Sequence, residues 1–301
     1  MSIDRCCHIT AELNTGHVNA AVANAGLHFS HDTTRIIVQA CAPYISGGVS
    51  PDPPNPPPID PLTIPLTFTA EKMNSTVTLN KTGSPTVSGL HYRMGTDGEW
   101  LPYTCGTKIT LPNIGDVVQF WNAEDTLSIS GSAYVRFAMT GTIAGSGNVM
   151  SLLNFRDDCV DFCFYMLFNG CKSLTLPPDF PSMVMAENCY MNALWNTSIT
   201  VAPDLPATNI AIGCYRYMFR NCPIVKAPIL GVTQLEHTAL SYLFAGTDIR
   251  EIEVNFSEWQ NTATNSWVSD VPANGTFIKP KALPEEYGVN RIPEGWTVIN
   301  K

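Results

Sequence analysis

Four segments in the C-terminal half of this 301-residue chain repeat one pattern, which restricts the fold more than any other feature. The segments begin at Cys163, Cys189, Cys214 and Ala239, so they follow one another in steps of 26, 25 and 25 residues. They read CFYMLFNGCKSLTLPPDFPSM, CYMNALWNTSITVAPDLPAT, CYRYMFRNCPIVKAPILGVT and ALSYLFAGTDIREIEVNFSE. Self-similarity at a fixed period of about 20–50 residues is typical of stacked repeat architectures. The repeat therefore predicts a solenoid over residues 146–260.

Two columns of the repeat hold small side chains. The opening position holds Cys163, Cys189, Cys214 and Ala239, and the closing position, eight residues later, holds Cys171, Thr197, Cys222 and Thr247. A metal site cannot exchange a thiolate ligand for alanine or threonine, whereas a tight packing position in a core can. The cysteines are therefore predicted to be structural thiols and not metal ligands.

Disulfides within one repeat are not expected. Eight residues of helix would separate the two cysteines by about 12 Å, which exceeds the ~7 Å that a disulfide can bridge between Cα atoms. The ten cysteines of the chain come without a visible export signal, and this favours reduced thiols. Disulfides between stacked repeats remain possible if the protein meets an oxidising environment.

The position before the closing residue holds Gly170, Asn196, Asn221 and Gly246. Glycine and asparagine enter the left-handed conformation at low cost, so this column is predicted to be a helix C-cap. A short strand is predicted to begin at Leu174, Ile199, Ile224 and Ile249. Each repeat should then contain a helix, a cap, a strand and a proline turn. The fourth repeat has Glu253 in place of proline and is predicted to be a capping turn that ends the stack.

These repeats resemble the leucine-rich repeats of BspA-like bacterial surface antigens, whose units read approximately LPATxLAxxCYxYMFxGCxSLTxAP. The resemblance covers about residues 145–260, and DLPATNIAIGCYRYMF at 204–219 is the closest local match. The tail NGTFIKPKALPEEYGVNRIPEGWTV is similar to the segment that closes such arrays. The resemblance implies adhesion or virion display, because such chains occur in gut Bacteroidetes and in their tailed phages.

A proline-rich stretch, residues 50–65, divides the chain and contains eight prolines. Proline fixes φ and removes a backbone donor, so this stretch is predicted to be an extended, semi-rigid linker of about 3 Å per residue. Residues 1–49 contain short β-branched runs such as RIIVQACA, too few for a core of their own. They are predicted to form a β anchor that is completed by a partner or a symmetry mate.

Residues 66–145 predict an immunoglobulin-like β-sandwich. Short alternating runs such as STVTL and DVVQFW recur about every ten residues, and Asp97-Gly98 is a strong hairpin signal. Residues 261–301 are predicted to be a C-terminal capping segment. The predicted fold class is therefore mostly β with an α/β solenoid: an N-terminal β anchor, an immunoglobulin-like sandwich and a leucine-rich repeat solenoid.

Charge and motifs exclude several functions. The 17 Lys and Arg residues against 26 Asp and Glu leave a net charge of −9, so nucleic acid is not an expected partner. No signal peptide or membrane span is visible, and a membrane is not an expected partner. The sequence lacks a phosphate loop, a nucleophile elbow and a zinc-protease motif, so we expect no enzyme activity and no cofactor.

Three clusters of polar residues are potential sites. Cys6-Cys7-His8 lacks a fourth ligand for a metal, and the adjacent pairs Asp157-Asp158 and Glu285-Glu286 are interpreted as solvated faces. A set of aromatic residues could either stack on sugar rings or fill the core: Trp195, Trp259, Trp267, Trp296, Tyr190, Tyr215 and Tyr242. Recurrence at the repeat spacing favours the core. A glycan-binding face stays a hypothesis.

The sequence predicts a structural virion protein of a tailed gut phage. In this interpretation it is a capsid-attached head fibre or decoration protein, made in the host cytoplasm, that contacts capsid or other virion proteins through residues 1–50. Its distal part displays a binding module for a host-surface glycan or protein, and a homo-oligomer is expected because many copies add weak contacts. The alternatives are a tail fibre or receptor-binding protein, and a bacterial cell-surface leucine-rich repeat adhesin. A glycan-cleaving enzyme with a carboxylate pair is a third class.

Overall fold

The computed structural model describes residues 64–228 and 230–301, together with the backbone of two strands nearer the N-terminus. These strands, β1 (Cys6–Thr10) and β2 (Ile37–Cys41), pair in an antiparallel manner with Cys6 opposite Cys41. They belong to a compact unit of residues Met1–Pro57, and Pro58–Lys301 form a second unit. The rest of the predicted anchor, and the predicted linker up to residue 63, lie outside the described residues.

The second unit consists mostly of β-sheets with almost no helix, which confirms a β-rich fold. Its first strands are β3 (Leu66–Ala70), β4 (Ser75–Thr82), β5 (Leu90–Met94), β6 (Leu101–Pro102), β7 (Ile109–Leu111), β8 (Val117–Asn122), β9 (Tyr134–Thr140) and β10 (Ile143–Ser146). The later strands are β11 (Leu174–Leu176), β12 (Glu251–Glu253), β13 (Thr276–Lys279) and β14 (Thr297–Asn300). A short 3-10 helix covers Val149–Leu153. The sheets have the orders β11-β10-β3-β8-β5-β6, β7-β4-β9 and β12-β13-β14.

The first two sheets and the repeats share one hydrophobic core. In β4, Val77 and Leu79 are fully buried and alternate with partly exposed residues, as expected of a strand with one covered face. Phe68 of β3 contacts Phe137 of β9, with ring centroids 5.0 Å apart, and Phe137 stacks on Phe168 at 5.4 Å. Because Phe168 belongs to the first repeat, the core continues across the predicted boundary at residue 145.

Ten residues of consecutive turns open each repeat. We call them turn segments 1 to 5: residues 161–170, 187–196, 212–221, 237–246 and 261–270. Alternate N–H groups donate to the carbonyl three residues earlier, as from Met218 to Tyr215 at 3.1 Å. The N–H groups between them donate to the next segment, as from Tyr215 to Ala239 at 3.0 Å. Backbone donors of buried segments are satisfied in this way without a helix or a regular strand.

The predicted helix in each repeat is wrong. In turn segment 3, residues at positive φ recur every four positions, at Gly213 (61°), Tyr217 (59°) and Asn221 (57°), and a right-handed helix cannot contain them. The predicted cap residues lie at φ between 57° and 75°: Gly170, Asn196, Asn221 and Gly246. They do not follow a helix. A type II turn requires positive φ at its third residue, and this requirement explains the column.

Most of the predicted repeat strands are also absent from the described residues. Strand β11 begins at Leu174 as predicted, but Ile199 and Ile224 lie outside strands, and the strand of the fourth repeat, β12, begins two residues after Ile249. Isolated bridges such as Leu205 with Leu230 connect the middle repeats instead. The prolines of these stretches lack the N–H group that a continuous ladder needs.

The fourth repeat does not end the array, contrary to the predicted capping turn. Turn segment 5 accepts hydrogen bonds from turn segment 4, for example from the Phe244 N–H to the Trp267 carbonyl at 2.8 Å. Glu253 lies in β12, which pairs in parallel with β13. The predicted capping segment, residues 261–301, therefore contains a fifth turn segment followed by β13 and β14.

Candidate functional site

The repeat cysteines lie in the core. Cys163, Cys189 and Cys214 are fully buried, and so are Ala239 and Ala263 at the equivalent positions of turn segments 4 and 5. The closing column is equally enclosed: Cys171, Thr197, Cys222 and Thr247 expose at most 4% of their surface. The seven described cysteines are free thiols. Cysteine, alanine and threonine therefore occupy equivalent positions in one buried interior.

The closing column also has a hydrogen-bonding role that sequence reasoning missed. The Cys222 thiol donates to the Leu194 carbonyl at 2.9 Å, and the Cys171 thiol donates to the Phe137 carbonyl at 3.0 Å. Thr247 Oγ1 donates to the Phe244 carbonyl at 2.7 Å. Cysteine and threonine are small side chains that can each satisfy a buried carbonyl. Three members of the closing column share this property, and the fourth, Thr197, has its Oγ1 3.2 Å from Cys222 Sγ. The opening column, in contrast, accepts alanine.

Burial makes these thiols poor nucleophiles, and this gives a first prediction. It raises the pKa of the Cys171 and Cys214 thiols from 9.0 to about 12. Only the thiolate reacts, so at pH 8 each should be alkylated about a thousandfold more slowly than an unperturbed thiol. Iodoacetamide treatment of the native chain, followed by peptide mass spectrometry, should modify the half-buried Cys105 before Cys171 and Cys214. Equal rates at Cys105, Cys171 and Cys214 before denaturation would contradict the assignment.

The aromatic residues divide between core and surface. Tyr190, Tyr215 and Trp267 are fully buried, and Trp296 is 4% exposed, so these four fill the core. Trp195, Tyr242 and Trp259 are partly exposed. The sequence-based preference for the core therefore applies to some of the set, and the remainder lies where a ligand could reach it.

Two of the partly exposed aromatic residues belong to an aromatic–arginine column, which consists of Trp195, Arg216, Tyr217, Arg220 and Tyr242. The Tyr217 ring stacks between the other two, with centroids 5.9 Å from Trp195 and 4.7 Å from Tyr242. The Arg220 guanidinium lies 5.3–5.5 Å from all three ring centroids, within range of cation–π attraction. Turn segments 2, 3 and 4 contribute these residues, so their alignment creates the column.

The column contains unused hydrogen-bonding capacity. In the part of the chain that the structure describes, three buried side-chain atoms lack a hydrogen-bond partner: Asn192 Oδ1, Trp195 Nε1 and Arg216 Nε. All three belong to the column or to turn segment 2, which carries Trp195. Buried polar atoms are normally paired, and a cluster of unpaired ones needs an explanation. Ligand binding is one such explanation, so the column is our candidate site.

Within the described part of the chain, the two arginines of the column also have no acidic partner. Among the described residues, the ion pairs involve Arg156, Lys226, Arg291 and Lys301, and neither Arg216 nor Arg220 takes part. Arg216 Nη2 donates to the Tyr217 hydroxyl at 3.4 Å. Two positive charges therefore lie beside the Tyr217 ring without a carboxylate, in a chain of net charge −9.

A groove surrounds Trp259 elsewhere in the second unit. Cavities of about 290 and 490 Å³ share Ser257, Glu258 and Trp259 in their linings. Two of the polar groups at this ring are already paired. Trp259 Nε1 donates to the Pro284 carbonyl at 2.8 Å, and Arg291, which lies 5.3 Å from the Trp259 ring centroid, donates to Glu286 at 2.7 Å. The groove offers space, whereas the aromatic–arginine column offers unpaired groups.

Three of the four carboxylates in the pairs identified in the sequence have polar partners of their own. Asp158 accepts from Arg156 Nε at 2.9 Å, and the Arg156 guanidinium lowers the pKa of the Asp158 carboxyl. Glu286 accepts from Arg291, and Glu285 accepts from the Tyr287 hydroxyl at 2.6 Å. These contacts direct neighbouring carboxylates to different groups.

No group of three or more His, Cys, Asp or Glu side chains in the described residues could hold a metal ion. The side chains of Cys6, Cys7 and His8 lie outside the description. In the same described ranges, no helix has the length and the apolar composition to cross a membrane.

Comparisons with protein-family models, with curated proteins and with solved structures find no match to this chain. The candidate site therefore rests on the geometry of the aromatic–arginine column.

Proposed function

We propose that this chain is a structural virion protein of a tailed gut phage, a capsid-attached head fibre or decoration protein that displays an adhesion module. The resemblance of residues 145–260 to BspA-like leucine-rich repeats supplies the virion and host assignment. In this proposal residues 1–49 attach to capsid or other virion proteins, residues 50–65 are the linker, and residues 66–145 are an immunoglobulin-like sandwich. The solenoid of residues 146–260 is the part that meets the host, and it binds without catalysis.

Backbone hydrogen bonds connect successive turn segments, and this connection supports the display role. Five N–H groups of turn segment 3 donate to turn segment 4: Gly213, Tyr215, Tyr217, Phe219 and Asn221. Equivalent side chains then lie over one another, as Phe219 and Phe244 do at 5.9 Å with planes 3° apart. Such a surface is stiff and presents side chains at a regular interval. Copies on a symmetric particle would add weak contacts into strong avidity.

Purified particles of the phage that encodes this chain provide the test. Mass spectrometry should detect the chain in the virion, and cryo-electron microscopy should place residues 1–50 among other virion subunits on the head. A location at the tail tip would favour a tail fibre or receptor-binding protein. If the chain is absent from particles and present in a bacterial envelope fraction, the proposal is wrong and a cell-surface adhesin takes its place.

A further inference from the structure

The aromatic–arginine column has more hydrogen-bond donors than acceptors. Each guanidinium carries five N–H donors and no acceptor, and Trp195 Nε1 adds one more unpaired donor. The acceptors nearby include the hydroxyls of Tyr217 and Tyr242 and the unpaired Asn192 Oδ1. A ligand complementary to this surface must therefore bring acceptors.

Charge favours an oxyanion as the source of those acceptors. Arg216 and Arg220 lie 5.0 and 5.5 Å from the same Tyr217 ring centroid, so the two positive charges lie within about 11 Å of each other. A carboxylate would relieve their repulsion and could accept two parallel N–H bonds from one guanidinium. No described carboxylate of the chain pairs with either of them.

We propose that the aromatic–arginine column binds an acidic polysaccharide through its carboxylates, with Arg216 and Arg220 as the main contacts. This inference rests on the adhesion role proposed above and names the class of ligand for it. A polymer fits better than a small anion, because the polar groups of the column are distributed over turn segments 2 to 4. Paired backbones lie about 4.8 Å apart, so three segments span about 10 Å. A single carboxylate covers only part of that length.

Single-stranded nucleic acid fits the column less well. Its bases need open aromatic faces on which to stack. Here the rings stack on one another, with Trp195 and Tyr217 24° apart and Tyr217 and Tyr242 17° apart, and Arg220 lies close to all three rings. Such packing leaves ring edges, hydroxyls and guanidinium groups as the recognition elements.

Calorimetric titration of the full chain tests the site. The ligands are three uronate polymers (polygalacturonate, alginate and hyaluronan), with dextran, dextran sulfate, polyglutamate and oligothymidylate as comparisons. The double substitution Arg216→Gln/Arg220→Gln removes both charges of the column. The control Arg250→Gln/Lys226→Gln removes two exposed charges elsewhere, where Lys226 pairs with Glu251 at 2.7 Å. A third variant, Arg216→Lys/Arg220→Lys, keeps the charge and removes the planar fork.

We expect saturable binding of at least one uronate polymer that weakens as salt is added. Affinity should fall about tenfold or more for each arginine replaced by glutamine, and it should change less than about twofold in the control. The lysine variant should bind with intermediate affinity, and it covers the case in which the glutamine variant unfolds. Circular dichroism should show that each variant used keeps the native spectrum.

The inference would be overturned by no binding of any uronate polymer, by an equal loss in the control variant, or by equal binding of polyglutamate or oligothymidylate. Tighter binding of dextran sulfate would replace carboxylate by sulfate and would also overturn it. The virion experiment is independent of these results. If the chain is found in particles but binds no uronate, the proposed function stands and the proposed site is wrong. If the chain is missing from particles, only the proposed function is wrong.

Discussion

Replacement of Phe219 by alanine should destabilise the chain by about 3–5 kcal/mol, because it leaves a cavity between turn segments 3 and 4. The Phe219 side chain is fully buried, and its ring stacks on Phe244 with the planes 3° apart. Its backbone N–H donates to the Leu243 carbonyl at 3.1 Å, so the ring and the backbone join the same two segments. Urea unfolding of the full chain, followed by circular dichroism, would measure the loss.

Ile212→Ala is the matched control for Phe219→Ala. Ile212 lies in the same turn segment but is 44% exposed, so its truncation should cost less than about 1 kcal/mol. If the two substitutions shift the unfolding midpoint equally, Phe219 is not packed between turn segments as described.

Gly147→Ala should cost about 3 kcal/mol or more. Gly147 has φ of 67°, a conformation that an alanine adopts with a penalty of about 1–2 kcal/mol. An added Cβ would also overlap the carbonyl oxygen of Pro65 and lie 3.3 Å from Ile64 Cγ2. The Gly147 carbonyl accepts a hydrogen bond from the Asp179 N–H at 2.8 Å, so the backbone here is fixed from two sides. A thermal melt of the purified variant would measure the loss.

Gly170→Ala is the control that separates backbone strain from the overlap with Pro65 at Gly147. Gly170 has φ of 75°, but an added Cβ would meet nothing within 4 Å. Only the conformational penalty remains, and the reduced freedom of the unfolded chain offsets part of it, so the cost should be about 1 kcal/mol. Equal costs at the two glycines would show that the close approach of Pro65 to Gly147 is not present in solution.

The period of the repeat was readable from the sequence because the same positions stay small or apolar in each copy. The opening column of Cys163, Cys189, Cys214 and Ala239 marked it clearly. Turn segment 5 was missed because its step is shorter, 24 residues from Ala239 to Ala263, and because it has no cysteine at either end. Trp267 is equivalent to Leu243, but the two residues share only burial at the same repeat position and not residue type.

The helix was a misinterpretation of a four-residue period. In turn segment 3, Cys214 and Tyr215 are buried, Arg216 and Tyr217 are partly exposed, and the next pair, Met218 and Phe219, is buried again. Over ten residues a period of four is difficult to distinguish from the 3.6 of a helix. The discriminating signal was the spacing of Asn188, Asn192 and Asn196, since asparagine at every fourth residue favours repeated positive φ.

The aromatic–arginine column could not be predicted because its members come from different positions of the repeat. Trp195 and Arg220 occupy one position of the repeat, and Tyr217 and Tyr242 occupy a second. Arg216 occupies a third position. Only the alignment of turn segments brings them together. The unpaired Trp195 Nε1 and Arg216 Nε are likewise properties of packing and have no counterpart in the sequence.

Scalar couplings across hydrogen bonds provide the most direct test of how the repeats join. In isotope-labelled protein, the amide nitrogen of Tyr215 should couple to the carbonyl carbon of Ala239, and that of Tyr190 should couple to Cys214, because these groups form bonds of 3.0 Å. A helix would instead couple Tyr215 to the carbonyl of Ala211, four residues earlier. The account predicts the couplings between segments, and detection of the coupling to Ala211 would contradict it.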